Sequence, residues 1–549
     1  MPPRRRRIKR RAGSRALSAL ALLWVALIAC RTPAPEPPAA VKQPRLVVLI
    51  VIDQLPSWGF ERDRLLFTGG LARLLREGGY VRRGELPYAS SFTAVGHATI
   101  ATGALPRAHG IVGNQWWRRD EQRDRGAEFD RTAPIFPVVP LDKPLPAEAG
   151  ASARMLRVPG VADAARAAHG SARTIAIGLK ARAACMIAGQ KPELAVWFDA
   201  AAGGMTTSTA YARSVPPWLV THAKAKPAAR FIQQTWLPRD PALYARHTGI
   251  ADDAPGEGAL HGTGVAFPHL VHDFEELLHT PFADEIVLET AVAALDALQL
   301  GADDVPDLLA LSLNAHDYAG HNWGPDSWEV LDLTLRLDAA LGQLFDTLDR
   351  RYGADGWAAV LTSDHGVTPL VERSPVAGAK RFAPTDVAKE GGPMIAKITA
   401  NQAYFSAAWA ELPPASRDAA RTAAADAIRQ RYPELEVFDT ADTSACGQPD
   451  LAGAVCRGTV PGESGELYLA PRRGFVLTEY PTGTHHDAPN PDNREVPILV
   501  RAPGVAPVTI DRASLLQVAP TVAALLGVPA PAAATEPPLF SIAPTPARP

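Results

Sequence analysis

Three aspartates follow apolar runs of the sequence, at points where buried strands would end. Asp53 follows "RLVVLIVI", Asp317 follows "DLLALSLNAH", and Asp364 follows "WAAVLTS". In an open parallel sheet, ligands bind outside the carboxyl ends of the strands, so these carboxylates would meet at one edge. A single aspartate at a strand end commonly starts a turn instead. The convergence of three indicates a site for a cation.

Histidines stand close to these aspartates. "DYAGH" separates Asp317 and His321 by four residues, so one helical turn would present both on one side. "SDHG" adds His365, and "GTHHD" supplies His485 and His486, for which solvated imidazoles in a loop are the alternative explanation. With one histidine of the last pair counted, three carboxylates and three imidazoles suit zinc better than magnesium or calcium, with manganese as an alternative. Six ligands are enough for two ions.

Thr93 stands where the segment "TAVGHATIATG" is predicted to begin a helix. Its hydroxyl could cap that helix, which is a common role for threonine there. It could also take part in chemistry, because the N–H groups and positive dipole end of a helix N-terminus attract an anion. The residues alone favour the cap.

The surrounding pattern predicts the fold that would position these groups. Uninterrupted apolar runs such as "RLVVLIVID", "TIAIGLK" and "VPILVRAPG" are typical of buried parallel strands. Amphipathic stretches over 282–300 and 327–353 are long enough to be crossover helices. We therefore predict an α/β fold, an α/β/α sandwich with a mostly parallel central sheet.

The domain organisation follows from breaks in this pattern. Residues 385–482 are predicted to form a small α/β insertion, which divides the core into 45–384 and 483–535. Residues 536–549 are predicted to be a flexible tail.

The N-terminus predicts export. A basic segment and a short apolar run over 1–29 are typical of a signal peptide, and "LIAC" resembles a bacterial lipobox ending at Cys30. A plain signal peptide or an uncleaved helix is the alternative. Residues 30–44 are then a Pro/Ala-rich tether, and the protein is expected to be periplasmic or at the cell surface, lipid-anchored through Cys30 as its only membrane attachment.

Charge and cysteine content fit that expectation. The chain has 56 Lys and Arg against 58 Asp and Glu; residues 1–29 hold eight basic and no acidic residues, which leaves 48 against 58 after cleavage. This acidic balance makes nucleic acid an unsuitable partner. An oxidising compartment would allow Cys446 and Cys456, ten residues apart, to form a disulfide, whereas Cys185 is predicted to be a buried apolar filler.

The order of these motifs resembles the alkaline phosphatase superfamily across nearly the whole exported chain. The nearest type is the phosphate-irrepressible alkaline phosphatase with a threonine nucleophile. The motifs that carry the resemblance are Asp53, "SFTAVGH", "GIVGN", "LKAR", "DYAGH", "SDHG" and "GTHHD". The resemblance implies an enzyme that hydrolyses small phosphate monoesters with two zinc ions per chain.

The resemblance also implies residue roles. One zinc would be held by Asp317, His321 and His486. The second would be held by Asp53, Asp364, His365 and Thr93 Oγ. Thr93 would displace the leaving group in line, and water would then hydrolyse the phosphothreonine, with net retention at phosphorus.

A phosphate clamp of Asn114, Lys180 and Arg182 is implied as well. The spacing of Lys180 and Arg182 would direct both side chains to one side of an extended chain, and the solvent face of an edge strand is the alternative. His97 and His109 match no ligand position and are expected to hydrogen-bond to nearby backbone. The family usually has glycine after the last ligand histidine, where this chain has Asp487.

Because Asp487 stands at the position of that glycine, His485 is an alternative to His486 as the last ligand histidine. A nucleotide pyrophosphatase/phosphodiesterase with the same ligands and threonine is the main alternative function. A sulfatase or a phosphoglycerate mutase lacks sequence support, and a non-catalytic zinc-binding surface protein would be expected to have lost a ligand.

Overall fold

The central strands of the sheet come from the apolar runs of the sequence. The computed structural model describes residues 43–137, 149–260 and 264–540. The predicted signal peptide, Cys30, nearly all of the tether and most of the tail lie outside these ranges. Among the described residues, no helix has both the length and the apolar character needed to cross a lipid bilayer.

The strands are given in chain order. They are β1 Leu46–Ile52, β2 Gly79–Glu85, β3 Gln115–Arg118, β4 Arg123–Gly126, β5 Phe129–Phe136, β6 Gly150–Ala151, β7 Thr174–Gly178, β8 Leu194–Asp199, β9 Gly204–Ser208, β10 Thr235–Trp236, β11 His269–Leu270, β12 Asp307–Leu313, β13 Trp357–Thr362, β14 Lys380–Phe382, β15 Ile395–Thr399, β16 Gln402–Phe405, β17 Leu435–Asp439, β18 Leu467–Pro471, β19 Phe475–Leu477, β20 Glu495–Arg501 and β21 Val508–Ser514.

The helices connect and cover these strands. They are α1 Ser57–Asp63, α2 Gly70–Glu77, α3 Thr93–Thr102, α4 Pro106–His109, α5 Val161–Ala168, α6 Ala181–Ala188, α7 Pro217–Ala225, α8 Pro241–Thr248, α9 Phe274–Leu277, α10 Pro281–Ala297, α11 Ala315–Trp323, α12 Trp328–Tyr352, α13 Pro384–Gly391, α14 Ala407–Ala410, α15 Pro414–Arg431, α16 Leu451–Gly458, α17 Pro491–Arg494 and α18 Val518–Leu526.

The main sheet has eleven strands in the order β21-β2-β20-β13-β1-β12-β7-β8-β9-β5-β6. Its middle strands β13, β1, β12, β7 and β8 are parallel neighbours. The prediction of a mostly parallel central sheet is confirmed. The prediction that "VPILV" is a parallel strand is wrong, because β20 is antiparallel to both β13 and β2. The loop before β20 lies at the carboxyl edge of the parallel strands, so β20 runs back from that edge.

The sheet is buried on both faces, as the runs of apolar residues predict. All seven residues of β1 are buried. Val48 and Ile50 belong to one apolar cluster, with residues of α10 and α12, whereas Val47 and Leu49 belong to a second cluster, with residues of α3 and α18. Full burial of each such side chain contributes roughly 1.5–3 kcal/mol. Helices on both faces therefore fix the position of the strand ends.

A second, four-stranded sheet lies where the sequence predicts an insertion. Its order is β15-β16-β18-β17, and α13 and α15 share an apolar cluster with it. β14 pairs in parallel with β19, so the chain enters and leaves this region side by side. Cys446 and Cys456 are joined by a disulfide in this region, and Cys185 is a free, buried cysteine.

Candidate active site

Neighbouring parallel strands bring the predicted site residues together at one edge of the main sheet. Asp53 directly follows β1, and Asp364 follows β13 after one residue. Asp317 lies in the first turn of α11, just after β12, and Lys180 is the last extended residue between β7 and α6. Because these four strands lie side by side, the three carboxylates and the ammonium group meet at one place.

The predicted metal ligands converge there. Asp317, His321 and His486 offer ligand atoms within 4.8 Å of one another, as do Asp53, Asp317 and His365. Asp317 thus belongs to both groups. Asp364, the third ligand predicted for the second ion, has its Oδ2 3.6 Å from His365 Nε2. The helical spacing of Asp317 and His321 places His321 Nε2 3.3 Å from Asp317 Oδ1.

The three histidines are oriented for metal binding by the backbone. Each ring places Nδ1 against a carbonyl oxygen, which can only accept, so Nδ1 carries a proton and Nε2 is the ring nitrogen that faces the carboxylates. The acceptors are Thr484 O for His321 at 2.8 Å, Gly366 O for His365 at 2.9 Å, and Ser91 O for His486.

Four buried polar atoms, one on each ligand predicted for the second ion, have no hydrogen-bond partner within the described part of the chain. They are Asp53 Oδ1, Thr93 Oγ1, Asp364 Oδ2 and His365 Nε2, and their side chains are fully buried. A buried polar atom left unpaired costs about 1–3 kcal/mol, more if charged. These four residues are the ligand set predicted for the second ion. The mixture of oxygen and imidazole nitrogen donors fits a divalent cation.

Electrostatics favour a cation at the same point. Burial, together with the neighbouring carboxylates Asp317 and Asp364, raises the pKa of Asp53 to about 6. Burial also raises the pKa of Asp317, but Lys180 and His321 outweigh it and hold that pKa well below its ordinary value. A divalent ion would relieve the repulsion among the carboxylates.

Thr93 is not a helix cap. It is the first residue of α3, and the N-cap position before it is occupied by Phe92. The hydroxyl is therefore left free of hydrogen bonds inside the cluster. Gly96 lets α3 approach this closely, because a Cβ at that position would lie 2.2 Å from Asp364 O.

The structure separates Lys180 from Arg182, which corrects the prediction that an extended chain directs both to one side. Lys180 precedes α6 and Arg182 lies in its first turn. Lys180 Nζ donates to Asp53 Oδ2 at 2.8 Å and to Asp317 Oδ2, and the residue is 4% exposed, so the alternative of a solvent-facing strand is also wrong. Burial lowers the pKa of Lys180, but the two carboxylates raise it above its ordinary value. Lys180 therefore bonds to the Oδ2 atoms of Asp53 and Asp317. Their Oδ1 atoms face the histidines, with Asp53 Oδ1 beside His365 and Asp317 Oδ1 beside His321.

Arg182 and Asn114 line a cleft of about 1060 Å³ beside the cluster, together with Phe92 and His485. Asn114 Oδ1 accepts a hydrogen bond from Ala94 N at 2.9 Å. That bond fixes the orientation of the Asn114 side-chain amide. The amide nitrogen is therefore the atom that can donate to a ligand. Arg182 Nε is buried without a hydrogen-bond partner. Both groups thus present donors to the cleft, whose lining also includes the carboxyl group of Glu128.

The remaining histidines behave as predicted. His97 places Nδ1 2.9 Å from Thr93 O and Nε2 2.7 Å from Ser312 Oγ, although Nδ1 also lies 3.1 Å from Asp364 Oδ2. His109 accepts a hydrogen bond from Ile111 N at 3.2 Å. His486 belongs to a metal-ligand group, whereas His485 lines the cleft.

Two residues of the site were missed by sequence reasoning. Gln54 has a φ of 67° and donates through Nε2 to Asp317 Oδ1 at 2.7 Å. Asn314 donates through Nδ2 to Asp53 Oδ2 at 2.7 Å and accepts from Lys180 N at 3.2 Å. The signal available in the sequence was their position, since Gln54 is the second residue after β1 and Asn314 is the first after β12. Both orient carboxylates that are predicted to hold metal.

The fold and this cluster define a member of the alkaline phosphatase superfamily, as the motif order predicts. A family model described as "Type I phosphodiesterase / nucleotide pyrophosphatase" matches residues 47–495, and the chain belongs to that family.

Relatives within it include alkaline phosphatase PafA of Elizabethkingia meningoseptica, 28% identical over 92% of this chain and 95% of the relative. Alkaline phosphatase PhoV of Synechococcus elongatus is 29% identical over 90% of this chain and 92% of the relative.

Solved structures agree with the sequence relatives. The crystal structure of wild-type PafA superposes with a TM-score of 0.83 at 28% identity, covering 91% of this chain and 99% of that chain. Murine ectonucleotide pyrophosphatase/phosphodiesterase 5 has a TM-score of 0.51 at 12% identity, covering 88% of this chain and 95% of that chain, which shows a shared fold. The prediction of an enzyme of the alkaline phosphatase type is confirmed.

Proposed function

We propose that this protein is an exported two-zinc alkaline phosphatase that hydrolyses phosphate monoesters through a phosphothreonine at Thr93. The observation that carries the proposal is the set of unpaired atoms on Asp53, Thr93, Asp364 and His365. Two carboxylate oxygens, an imidazole nitrogen and a hydroxyl oxygen together form a donor set that suits a zinc ion. The relatives named as alkaline phosphatases support the reaction class.

The predicted ligands would be divided between two zinc ions as the family resemblance implies. Asp317, His321 and His486 would hold one zinc ion, and Asp53, Asp364, His365 and Thr93 the other. Bound zinc supplies Lewis acidity, which lowers the pKa of a coordinated hydroxyl and stabilises negative charge on phosphoryl oxygens.

The protein's own groups then perform two displacements. Thr93 Oγ gives up its proton and attacks phosphorus in line with the ester oxygen; the O–P bond to the leaving group breaks, and the departing alkoxide takes up one proton, so the net transfer is from the threonine to the alcohol. Water then attacks the phosphothreonine; one water proton returns to Thr93 as the P–Oγ bond breaks, and phosphate is released. Asn114, Arg182 and the N–H groups at the start of α3 that Asn114 Oδ1 does not occupy stabilise the phosphoryl oxygens in both steps.

The alternative is a nucleotide pyrophosphatase/phosphodiesterase, which the family description also includes. The position of Arg182 and Asn114 favours the monoesterase. A monoester dianion has an additional charged oxygen, and a forked guanidinium matches its charge and geometry. A diester would place a bulky ester group there instead.

Metal analysis and a substrate panel test this function together. Protein stripped with a chelator is expected to recover activity with zinc, at two ions per chain, because six side chains of mixed donor type converge. The recovered enzyme should hydrolyse an aryl monoester faster than the matching diester or sulfate ester. A single ion per active chain, recovery with magnesium alone, or faster diester hydrolysis would contradict the proposal.

Membrane attachment is tested separately. We propose that Cys30 carries the lipid anchor, on the basis of "LIAC" after a basic segment and the Pro-rich tether that follows. Wild-type protein should incorporate a lipid label and sediment with membranes, whereas Cys30→Ser should do neither. An unlabelled wild type, with Cys30→Ser still in the membrane fraction, is the outcome that rejects the anchor.

A further inference from the structure

Asp487 connects the loop that carries His486 with the end of the insertion. It directly follows His486 and is 1% exposed. Its Oδ2 accepts a hydrogen bond from Leu477 N at 2.6 Å. Leu477 ends β19, the strand that follows the four-stranded sheet and pairs with β14. The carboxylate therefore fixes the point at which the insertion returns to the site.

A second bond joins the same residue to a hairpin of the insertion. Asn401 Nδ2 donates to Asp487 O at 2.6 Å, and Leu469 N donates to Asn401 O at 2.7 Å. Ala400 and Asn401 form the turn between β15 and β16, with φ values of 49° and 61°. Left-handed conformations at two successive residues other than glycine persist where the surroundings hold them.

The tip of this hairpin forms part of the cleft. Ala400 and Asn401 line it, as Asn114 and Arg182 do. A Cβ at Gly113 would lie 2.6 Å from Ala400 Cβ, so the tip packs closely against the segment that carries Asn114. At about 1060 Å³ the cleft is as large as sites for drug-sized ligands. A phosphoryl group fills only a small part of it.

We propose that Asn401 is a positioning residue whose amide, bonded to the backbone oxygen of Asp487, holds the insertion hairpin in place, and that the hairpin forms a binding wall for large organic leaving groups. The inference rests on the proposed function and extends it to a substrate class: monoesters whose leaving group is of aryl or nucleoside size. Methyl phosphate, which has no group to reach the wall, is the reference substrate.

Calorimetric binding of two phosphonates to the zinc-loaded protein tests the wall without turnover. Asn401→Gly keeps the left-handed turn but removes the bond to Asp487 O, so it should weaken binding of 1-naphthylmethylphosphonate about tenfold. Binding of methylphosphonate should change less than about twofold, since only the larger ligand reaches the wall. The KM for 1-naphthyl phosphate should rise in parallel, with kcat and zinc content nearly unchanged. Equal loss for both ligands, or loss of zinc, would show that the bond acts through His486 and overturn the inference. An unchanged ratio would overturn it as well.

Matched variants separate positioning from folding. Asp487→Asn keeps an oxygen that accepts from Leu477 N and the backbone oxygen that accepts from Asn401, so it should keep the wild-type ratio. Asp487→Ala removes the bond to Leu477 N but not the bond from Asn401, so its ratio should stay closer to the wild-type value than that of Asn401→Gly. Asp450→Ala, which removes the cap bond to Gly453 N elsewhere in the insertion, should leave the ratio unchanged. The two proposals can fail separately. If a variant loses affinity only for the larger phosphonate while the wild-type protein hydrolyses no monoester, the hairpin wall is upheld and the proposed function is rejected.

Discussion

Thr93→Ala is expected to lower kcat for phosphate monoesters by about 10³-fold or more, because it removes the attacking oxygen and no other group replaces it. The fold should remain intact. Thr93 Oγ1 makes no hydrogen bond in the structure, so its removal breaks none and leaves one fewer unsatisfied polar atom in the core. Circular dichroism and thermal unfolding check the fold, and initial rates with an aryl phosphate check turnover.

Thr102→Ala is the matched control within the same helix. Thr102 is also fully buried, but its hydroxyl donates to Ala98 O at 2.7 Å. Its loss should lower the free energy of unfolding by about 1 kcal/mol and leave turnover nearly unchanged. A phosphothreonine in the acid-quenched wild type, located at residue 93 by mass spectrometry and missing from Thr93→Ala, would identify the intermediate. A near-normal rate for Thr93→Ala would remove Thr93 from the reaction.

Local sequence patterns predicted those parts of the site whose geometry is local. The four-residue spacing of Asp317 and His321 indicated one helical face, and α11 provides it. Asp53 and Asp364 follow uninterrupted apolar runs, which indicate buried strands with their polar ends at one edge. These inferences hold because a helix or a buried strand imposes its periodicity on its own residues.

Where the chain changes direction, the same patterns failed. The two-residue spacing of Lys180 and Arg182 predicts one extended segment, but the helix begins at Ala181, which lies between them. The direction of β20 depends on where the preceding loop leaves the site, and that is a tertiary property. The positive φ of Gln54 and the bonds of Asn314 depend on groups far away in sequence, so residue type alone could not indicate them.

The hydrogen bonds of Lys180 show that Arg182, and not Lys180, is the residue to substitute in a test of substrate selectivity. Its ammonium bonds to Asp53 and Asp317, two predicted metal ligands. Losing it would disturb the carboxylates and lower monoester and diester hydrolysis together. Arg182 lines the cleft and makes no hydrogen bond at Nε, so its loss changes the anion-binding surface with little effect on the metal ligands.

Arg182→Ala is accordingly expected to remove about 2–4 kcal/mol of transition-state stabilisation for an aryl monoester. This loss corresponds to a fall in kcat/KM of roughly 30-fold to 10³-fold. The matching diester should lose less than about threefold, because its second ester group replaces the charged oxygen that a guanidinium would bind. Arg182→Lys keeps the charge but not the fork, so it should recover only part of the monoester rate. Both rates must be measured on protein of equal zinc content. An equal fall in the two activities would assign Arg182 a general electrostatic role and favour the diesterase alternative.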